Sequence, residues 1–223
     1  MRYTFITPTL VRDSLKRLCD SIDAQTNTDY EHIVIIDCPV SEHMQTILDS
    51  IAPNPRRKFI TCTTEHVKDF GNAARRQGFD AAQGDYILDI DDDDHYADAE
   101  VLNTLTKVTA VWAVFPVNSY GKRNHPKKPG LGFTGSAMFM YRRDTGLKFP
   151  DNTSYSADGQ LVEQLKAAYP YQSLDDEREL VVYPRGNRGR SQEEIEIWER
   201  RPQKLKYAKD GLTLDWNDQY HRG

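Results

Sequence analysis

The sequence lacks the long hydrophobic runs that anchor proteins in membranes. No stretch of about 18 consecutive apolar residues occurs, so no segment is long enough to span a bilayer as a helix. The first 13 residues also lack the apolar stretch and the small-residue cleavage site of a secretory signal peptide. We therefore expect a chain that works in the cytoplasm.

Cysteine is scarce as well. The three cysteines, Cys19, Cys38 and Cys62, are odd in number, form no Cys-x-x-Cys pair and have no histidine companion at zinc-ligand spacing. This pattern argues against a disulfide framework and against a structural zinc site. It favours reduced thiols in an intracellular compartment.

An excess of positive charge is missing too. The chain of 223 residues has 29 Lys and Arg against 34 Asp and Glu, a net charge of −5, which argues against nucleic acid as the main partner. The acidic residues are unevenly spread, however. Four consecutive aspartates at 91–94 follow a fifth at Asp89.

What the first 90 residues do have is an alternation of strand-like and helix-like patterns. The apolar run at 32–36 is typical of a strand buried on both faces. Leu15, Leu18 and Ile22 recur at helical spacing, and Ser41 is a candidate N-cap. The alternation predicts an α/β fold with a mostly parallel sheet flanked by helices. Predicted strands cover residues 3–7, 32–37, 58–62 and 85–90, and predicted helices cover residues 12–24, 41–51 and 72–82.

The second part of the chain is less regular, and no internal repeat or second domain boundary is evident. We expect a single domain over residues 1–223. A Pro- and Gly-rich basic stretch at 122–132 predicts a loop without regular structure. Further predicted strands cover residues 111–116, 133–141 and 180–183, and further helices cover residues 99–108, 157–168 and 191–208.

The aspartate run lies where ligands bind in folds of this kind. In open parallel sheets, ligands occupy the crevice outside the carboxyl ends of the strands. The run follows the fourth predicted strand, Asp37 ends the second, and Pro8 and Thr9 follow the first. We therefore expect these groups to converge on one edge of the sheet.

Adjacent carboxylates repel by about 1 kcal/mol at about 4 Å in water, and a divalent cation would relieve that repulsion. Hard oxygen ligands suit Mg²⁺ or Mn²⁺. A solvated acidic turn remains the alternative. An EF-hand loop counted from Asp89 is disfavoured, because its sixth position is Asp94 instead of glycine and a strand precedes it.

Several fragments in order resemble family 2 of the glycosyltransferases, enzymes with the GT-A fold. Residues 5–37 (FITPTLVRDSLKRLCDSIDAQTNTDYEHIVIID) look like that family's opening strand, helix and strand. Residues 71–94 (GNAARRQGFDAAQGDYILDIDDDD) are similar to its Ala- and Arg-rich helix and its Asp-x-Asp motif. Residues 134–144 (TGSAMFMYRRD) and 157–165 (ADGQLVEQL) resemble the strand and helix of its acceptor site.

The resemblance implies roles for the residues near the donor. Asp91 and Asp93 fill the Asp-x-Asp positions, with Asp91 beside the nucleotide and the metal and Asp93 ligating the metal that bridges the diphosphate. Asp92 belongs to the same nucleotide-binding run. Asp37 would contact the base, with Pro8 and Thr9 packed beside it. Residues 1–96 would form the nucleotide-binding half.

The resemblance also implies that Asp158 is the general base, within an acceptor-binding half at 97–190 that precedes a helical tail at 191–223. Arg75 and Lys68 are candidates for phosphate or base contacts, with solvated helix or loop residues as the alternative. The family's usual downstream histidine is absent, and Arg188, Arg190 or Asn187 is expected to neutralise the diphosphate instead. Ala157 replaces the glutamate of the family's Glu-Asp pair, and Cys38 follows Asp37 where a second acidic residue is usual.

The implied activity is a metal-dependent, inverting transfer of a sugar from a nucleoside diphosphate sugar, most simply a UDP-sugar, to a hydroxyl of a glycan or another acceptor. Two other classes remain open. A sugar-phosphate nucleotidyltransferase usually has a Gly-rich loop after the first strand, and residues 8–12 (PTLVR) contain no glycine. A non-catalytic metal- or glycan-binding module would need neither Asp37 nor Asp158.

Overall fold

The first part of the chain alternates strands with helices, as the sequence predicts. The computed structural model describes residues 2–62, 69–126, 128–132, 134–151, 154–175 and 177–184. The side chain of Ser41 accepts a hydrogen bond from the backbone N–H of Met44 and so caps the second helix, as expected. The elements are β1 (Tyr3–Thr9), α1 (Ser14–Asp23), β2 (Tyr30–Ile36), α2 (Glu42–Asp49), β3 (Arg57–Thr61), α3 (Asn72–Ala81) and β4 (Tyr86–Asp89).

The second part adds shorter elements that complete the main sheet and build a small second one. Helix α5 (Ala157–Ala168) has the predicted bounds. The others are β5 (His95–Tyr96), α4 (Val101–Leu105), β6 (Trp112–Val114), β7 (Val117–Ser119), β8 (Lys122–Asn124), β9 (Phe139–Arg142), β10 (Tyr171–Ser173) and β11 (Val181–Tyr183).

The main sheet has seven strands in the order β10-β6-β9-β4-β1-β2-β3. Strand β1 lies between β2 and β4 and is parallel to both, while β9 runs antiparallel between β4 and β6. The carboxyl ends of β1, β2 and β4 therefore meet at one edge. The second sheet has the order β5-β11-β7-β8.

Both faces of the main sheet are covered, and successive side chains of one strand enter different cores. Tyr3 and Phe5 of β1 pack into a core with α1 and α4, whereas Ile6 packs into a core with α3 and α5. Strand β2 follows the same rule, since Ile33 and Ile35 join the α3 and α5 side and Val34 faces α1 and α2. This double burial explains the unbroken apolar run of β2.

Two predictions for local structure were wrong. The stretch 122–132 was predicted to be an irregular loop, but its first three residues form β8. All three side chains of β8 are exposed, so no alternating burial pattern marked the strand. Residues 133–141 were predicted as one strand, but Ser136–Met138 form a 3-10 turn and the strand begins at Phe139.

Within the described ranges, no helix is both long and apolar enough to cross a membrane. The predicted helix at 191–208 lies outside the described residues. The division of the chain into two halves and a tail stays a prediction.

Helix α3 packs on β1 at Gly78. A β-carbon at this position would lie 2.5 Å from Cγ2 of Ile6, whose side chain is fully buried. We predict that Gly78→Ala lowers the free energy of unfolding by about 1–3 kcal/mol, although alanine normally stabilises helices. Urea unfolding at equilibrium measures the change.

The double variant Gly78→Ala/Ile6→Ala is the control, because removing the Ile6 side chain makes room for the methyl group. Its loss of stability should be smaller than the sum of the two single losses. If the two losses in the free energy of unfolding add up, the contact with Ile6 is not the reason why position 78 requires glycine.

Candidate active site

The aspartate run leaves β4 at the edge where the carboxyl ends of the parallel strands meet. Ile90 still pairs with β1, since its N–H donates to the Ile6 carbonyl at 3.0 Å. The chain then turns, and the N–H of Asp94 donates to the carbonyl of Asp91 at 3.1 Å. This turn brings Asp91, Asp93 and Asp94 together, with one carboxylate oxygen of each within 4.8 Å of the others.

This donor set fits a divalent cation. Asp93 and Asp94 are only 4% and 3% exposed, so water hydrates their closely spaced carboxylates little. Bringing such groups together without a cation costs free energy, since the repulsion grows as the dielectric falls. Three carboxylate oxygens are hard ligands of the kind that Mg²⁺ and Mn²⁺ prefer. Asp94 extends the predicted pair of ligands, Asp91 and Asp93.

Asp92 is directed toward the end of β1 instead. One of its carboxylate oxygens accepts a hydrogen bond from the hydroxyl of Thr9 at 2.6 Å, and the other accepts one from Arg12 at 2.8 Å. The Thr9 oxygen also accepts the N–H of Val11, whose φ of 56° is unfavourable for a β-branched residue. Asp92 therefore ties the aspartate turn to the β1 loop, and Thr9 lies at the same edge of the sheet as the aspartate run.

Asp37 and Pro8 join this edge from β2 and β1. The N–H of Asp37 donates to the Thr9 carbonyl at 2.9 Å, and Asp37 is 5% exposed. Burial, and then the negative charges of Asp37 and Asp92, raise the pKa of the Cys38 thiol. The convergence expected from the sequence is therefore present.

Arg75 of α3 brings positive charge into this acidic region. Its guanidinium bonds the Asp91 carboxylate and the carbonyl of Phe70, and it stacks 5.0 Å from the ring centre of Phe149. Its side chain is 7% exposed. Gly71 makes room for it, because a β-carbon there would lie 3.1 Å from an Arg75 nitrogen and 2.9 Å from Pro8.

Asp89, the last residue of β4, is fully enclosed. Neither carboxylate oxygen has a hydrogen-bond partner, and the residue is 2% exposed. Burial, helped by the charges of Asp91 and Asp158 and opposed by Arg75, raises the pKa of Asp89 to about 7. At pH 7 the Asp89 carboxyl is therefore about half protonated, which reduces the negative charge of the acidic cluster.

Asp158 faces the site from the first turn of α5. One of its oxygens accepts the N–H of Gly159 at 2.7 Å. Burial, with a smaller contribution from Asp91, raises the pKa of Asp158 to about 6, against the lowering effects of that hydrogen bond and of Arg75. A carboxylate with this pKa is still mostly ionised at neutral pH and accepts a proton more readily than an exposed aspartate.

The stretch 130–132 packs against the same turn of α5. A β-carbon on Gly159 would lie 2.8 Å from the Cα of Leu131, and the N–H of Leu131 donates to the Glu163 carboxylate at 3.2 Å. The end of the predicted basic loop therefore lies beside Asp158.

The structure brings most of the predicted site residues to one edge, and it adds others. Lys68, Asn187, Arg188 and Arg190 lie outside the described residues. Arg12 and Arg17 were not predicted, and no sequence motif distinguishes them from surface arginines. Arg17 donates to the carbonyl of Asp93 at 2.9 Å. The residues brought together are Pro8, Thr9, Asp37, Arg75, Asp91, Asp92, Asp93 and Asp158.

The raised pKa of Asp89 predicts how stability depends on pH. The folded protein binds this proton more tightly than the unfolded chain, whose aspartate has the ordinary pKa of 3.8. The free energy of unfolding should therefore fall as the pH rises from about 4 to about 7, and this contribution should then stay constant. In the presence of chelator, Asp89→Asn should be more stable than the wild type by about 1–3 kcal/mol at pH 8, with a smaller gain at pH 5.

Urea unfolding at both pH values measures the effect. Asp144→Asn is a matched control, because Asp144 is exposed and pairs with Arg142 near the opposite edge of the sheet. If the gain of Asp89→Asn over the wild type is the same at pH 5 and pH 8, Asp89 is not protonated in the folded protein.

Comparison with known proteins agrees with this geometry. A family model described as glycosyl transferase family 2 matches residues 4–161. Among curated protein sequences, none matches the chain significantly.

Several solved structures share the fold. S. aureus TarS 1-349 is 18% identical with a TM-score of 0.66, covering 82% of this chain and 60% of that one. Its complex with UDP-GlcNAc gives 18% identity and a TM-score of 0.66 over 84% and 59% of the two chains. The mannosyltransferase PcManGT from Pyrobaculum calidifontis, in complex with GDP-Man and Mn²⁺, gives 15% identity and a TM-score of 0.62 over 81% and 56%.

The chain thus spans about three fifths of the length of these solved chains. At these identities the likeness concerns the fold, and it confirms the predicted α/β GT-A architecture with the acidic motif after β4. Because the family model spans well over half of the sequence, the chain belongs to glycosyl transferase family 2.

Proposed function

We propose that this chain transfers a sugar from a nucleoside diphosphate sugar to an acceptor hydroxyl, with Mn²⁺ or Mg²⁺ held by Asp91, Asp93 and Asp94. One observation carries the proposal. The site combines a carboxylate cluster suited to a cation with a separate carboxylate, Asp158, whose pKa is raised to about 6. These two features suit a displacement in which the leaving diphosphate gains negative charge while the attacking hydroxyl loses a proton.

The carboxylate cluster suits the donor side of that reaction. Departure of a nucleoside diphosphate builds negative charge on its phosphates, and a bound divalent cation supplies Lewis-acid stabilisation of that charge. The chain contributes Asp91, Asp93 and Asp94 as ligands. Arg17 holds the backbone of the aspartate turn and Arg12 holds Asp92, which keeps the turn in place.

The nucleotide would lie along the ends of β1 and β2. Pro8, Thr9 and Asp37 line this edge, and we assign them to the base and ribose. The solved relatives are named with UDP-GlcNAc or with GDP-Man, so a nucleoside diphosphate sugar is the shared donor class. A UDP-sugar is our first choice for this chain.

Asp158 serves the acceptor side. As the acceptor oxygen attacks the anomeric carbon, its proton passes to the Asp158 carboxylate. The bond to the new oxygen forms as the bond to the diphosphate breaks. A single displacement of this kind inverts the configuration at the anomeric carbon.

Donor and metal binding give the first test. UDP-GlcNAc or GDP-mannose with Mn²⁺ should raise the melting temperature, because a ligand at about 100 times its Kd adds about 2.7 kcal/mol of stability. The shift should disappear with EDTA. Asp93→Asn should also lose it, since the cation would lose a buried ligand.

Asp144→Asn should keep the full shift, because this exposed aspartate lies away from the site. A panel of uridine and guanosine diphosphate sugars that never shifts the melting temperature would contradict the proposal.

Removing the base gives the second test. Asp158→Asn should lower kcat for sugar transfer by about 10²–10⁴-fold while the donor still binds. In the wild type, kcat/KM should fall about tenfold per pH unit below about 6, because protonated Asp158 cannot accept the acceptor proton. Radiolabelled sugar transfer measured from pH 5 to pH 8 reports both effects.

Asp144→Asn is again the control and should leave the pH profile unchanged. Full activity of Asp158→Asn would remove Asp158 from the mechanism. A non-catalytic binding module would show donor binding without any transfer by the wild type.

A further inference from the structure

Arg75 brings a positive charge to one of the three carboxylates that we propose as metal ligands. Its guanidinium bonds Oδ1 of Asp91, which belongs to the cluster with Asp93 and Asp94. Asp91 is the open member of this cluster, since 42% of its side chain is exposed, whereas Asp93 and Asp94 are buried. Arg75 therefore bonds the carboxylate that is most accessible to an arriving cation.

A divalent cation and Arg75 compete for the Asp91 carboxylate. Mg²⁺ binds a carboxylate oxygen at about 2.1 Å, and a guanidinium N–H bonds one at about 2.8 Å. Even if the metal takes Oδ2 of Asp91 while Arg75 keeps Oδ1, the two cations stand only about 5 Å apart. Like charges at that distance repel strongly where water is largely excluded. Arg75 therefore opposes the binding of a bare cation.

The guanidinium of Arg75 is held in this position by contacts other than Asp91. One of its N–H groups donates to the carbonyl of Phe70 at 2.7 Å, and its carbon lies 5.0 Å from the ring centre of Phe149. Only 7% of the side chain is exposed. An arriving metal ion therefore meets a fixed positive charge that does not simply move out into solvent.

Asp91 leaves part of the bonding capacity of Arg75 unused. Among the described residues, Asp91 is the one carboxylate that Arg75 bonds, and Nε of Arg75 is buried without a partner. A buried guanidinium with incomplete hydrogen bonds is stabilised by a further anion nearby. The diphosphate of a sugar donor is such an anion, and it is attracted by the metal ion and by Arg75 alike.

We infer that Arg75 makes this site select a metal ion paired with a diphosphate over a bare metal ion. Its charge weakens the binding of the cation alone and strengthens the binding of the diphosphate. For the pair, the attraction to the diphosphate offsets the repulsion of the cation. This inference rests on the proposed function and deepens it, because it assigns to one residue of the chain the preference for the complete pair.

Binding of Mn²⁺ alone gives the first measurement and needs no turnover. Electron paramagnetic resonance of free Mn²⁺, titrated against the protein without nucleotide, gives the Kd. Arg75→Met removes the charge and keeps an apolar side chain against Phe149, so it should bind Mn²⁺ about tenfold more tightly than the wild type. Arg75→Gln, which is also neutral but keeps an N–H donor, should show the same gain and serves if the methionine variant does not fold.

Binding of the nucleotide at saturating Mn²⁺ gives the second measurement. Equilibrium dialysis with radiolabelled UDP and GDP gives the Kd of each nucleotide. Both neutral variants of Arg75 should bind the nucleotide about tenfold more weakly than the wild type, because the diphosphate loses one positive charge. The two ligands thus respond in opposite directions. General damage to the fold would instead weaken the binding of both.

Arg76→Met is the matched control on the same helix. Arg76 donates to the carbonyl of Pro150 at 2.7 Å and pairs with Asp151 at 2.6 Å. Its replacement removes an arginine of the same length from the neighbouring position. Neither the Kd of Mn²⁺ nor that of the nucleotide should change by more than about twofold.

Failure of the inference differs from failure of the proposed function. If the wild type binds neither UDP nor GDP in the presence of Mn²⁺, both fall. If the wild type binds a nucleotide with Mn²⁺ and the neutral variants bind Mn²⁺ alone no more tightly than it does, only the inference is overturned. Weaker binding of Mn²⁺ by both variants would instead show that Arg75 positions Asp91 for the metal.

Discussion

The site depends on how the buried guanidinium of Arg75 is shared among carboxylates. It bonds Asp91 directly, and its charge lowers the pKa of both Asp89 and Asp158 against the effect of burial. One guanidinium cannot neutralise the three carboxylates of Asp89, Asp91 and Asp158. Burial therefore leaves Asp89 about half protonated at pH 7 and leaves Asp158 with a moderately raised pKa. The carboxylates of Asp91, Asp93 and Asp94 remain as the group that we propose to hold a metal ion.

Local strain accompanies this arrangement. Val11 and Phe70 both have left-handed backbone conformations that cost free energy for residues other than glycine. Each is held by a hydrogen bond that also serves the site: the Thr9 hydroxyl, which bonds Asp92, accepts the Val11 N–H, and the Phe70 carbonyl accepts a bond from Arg75. The same contacts that shape the loops thus orient the charged groups.

How far the sequence predicted the fold varied along the chain. The long elements were predicted within a few residues, because burial on both faces or on one face leaves an apolar pattern in β2, α1 and α5. Strand β8 was missed, because its pairing with β7 depends on backbone hydrogen bonds and its side chains stay in water. Regularity that rests on the backbone alone leaves little trace in the sequence.

By itself the sequence determined the alternation of strands and helices and the aspartate run after β4, because these depend on residue type and spacing. Asp158 became a candidate base only through the resemblance to the family. Tertiary structure decided the rest. It separated Asp92, which holds the β1 loop, from its neighbours, and it placed Arg75 of α3 beside Asp91. The physical reason is that charge, burial and free space at one point are set by segments far apart in the chain, and no local pattern records their distances.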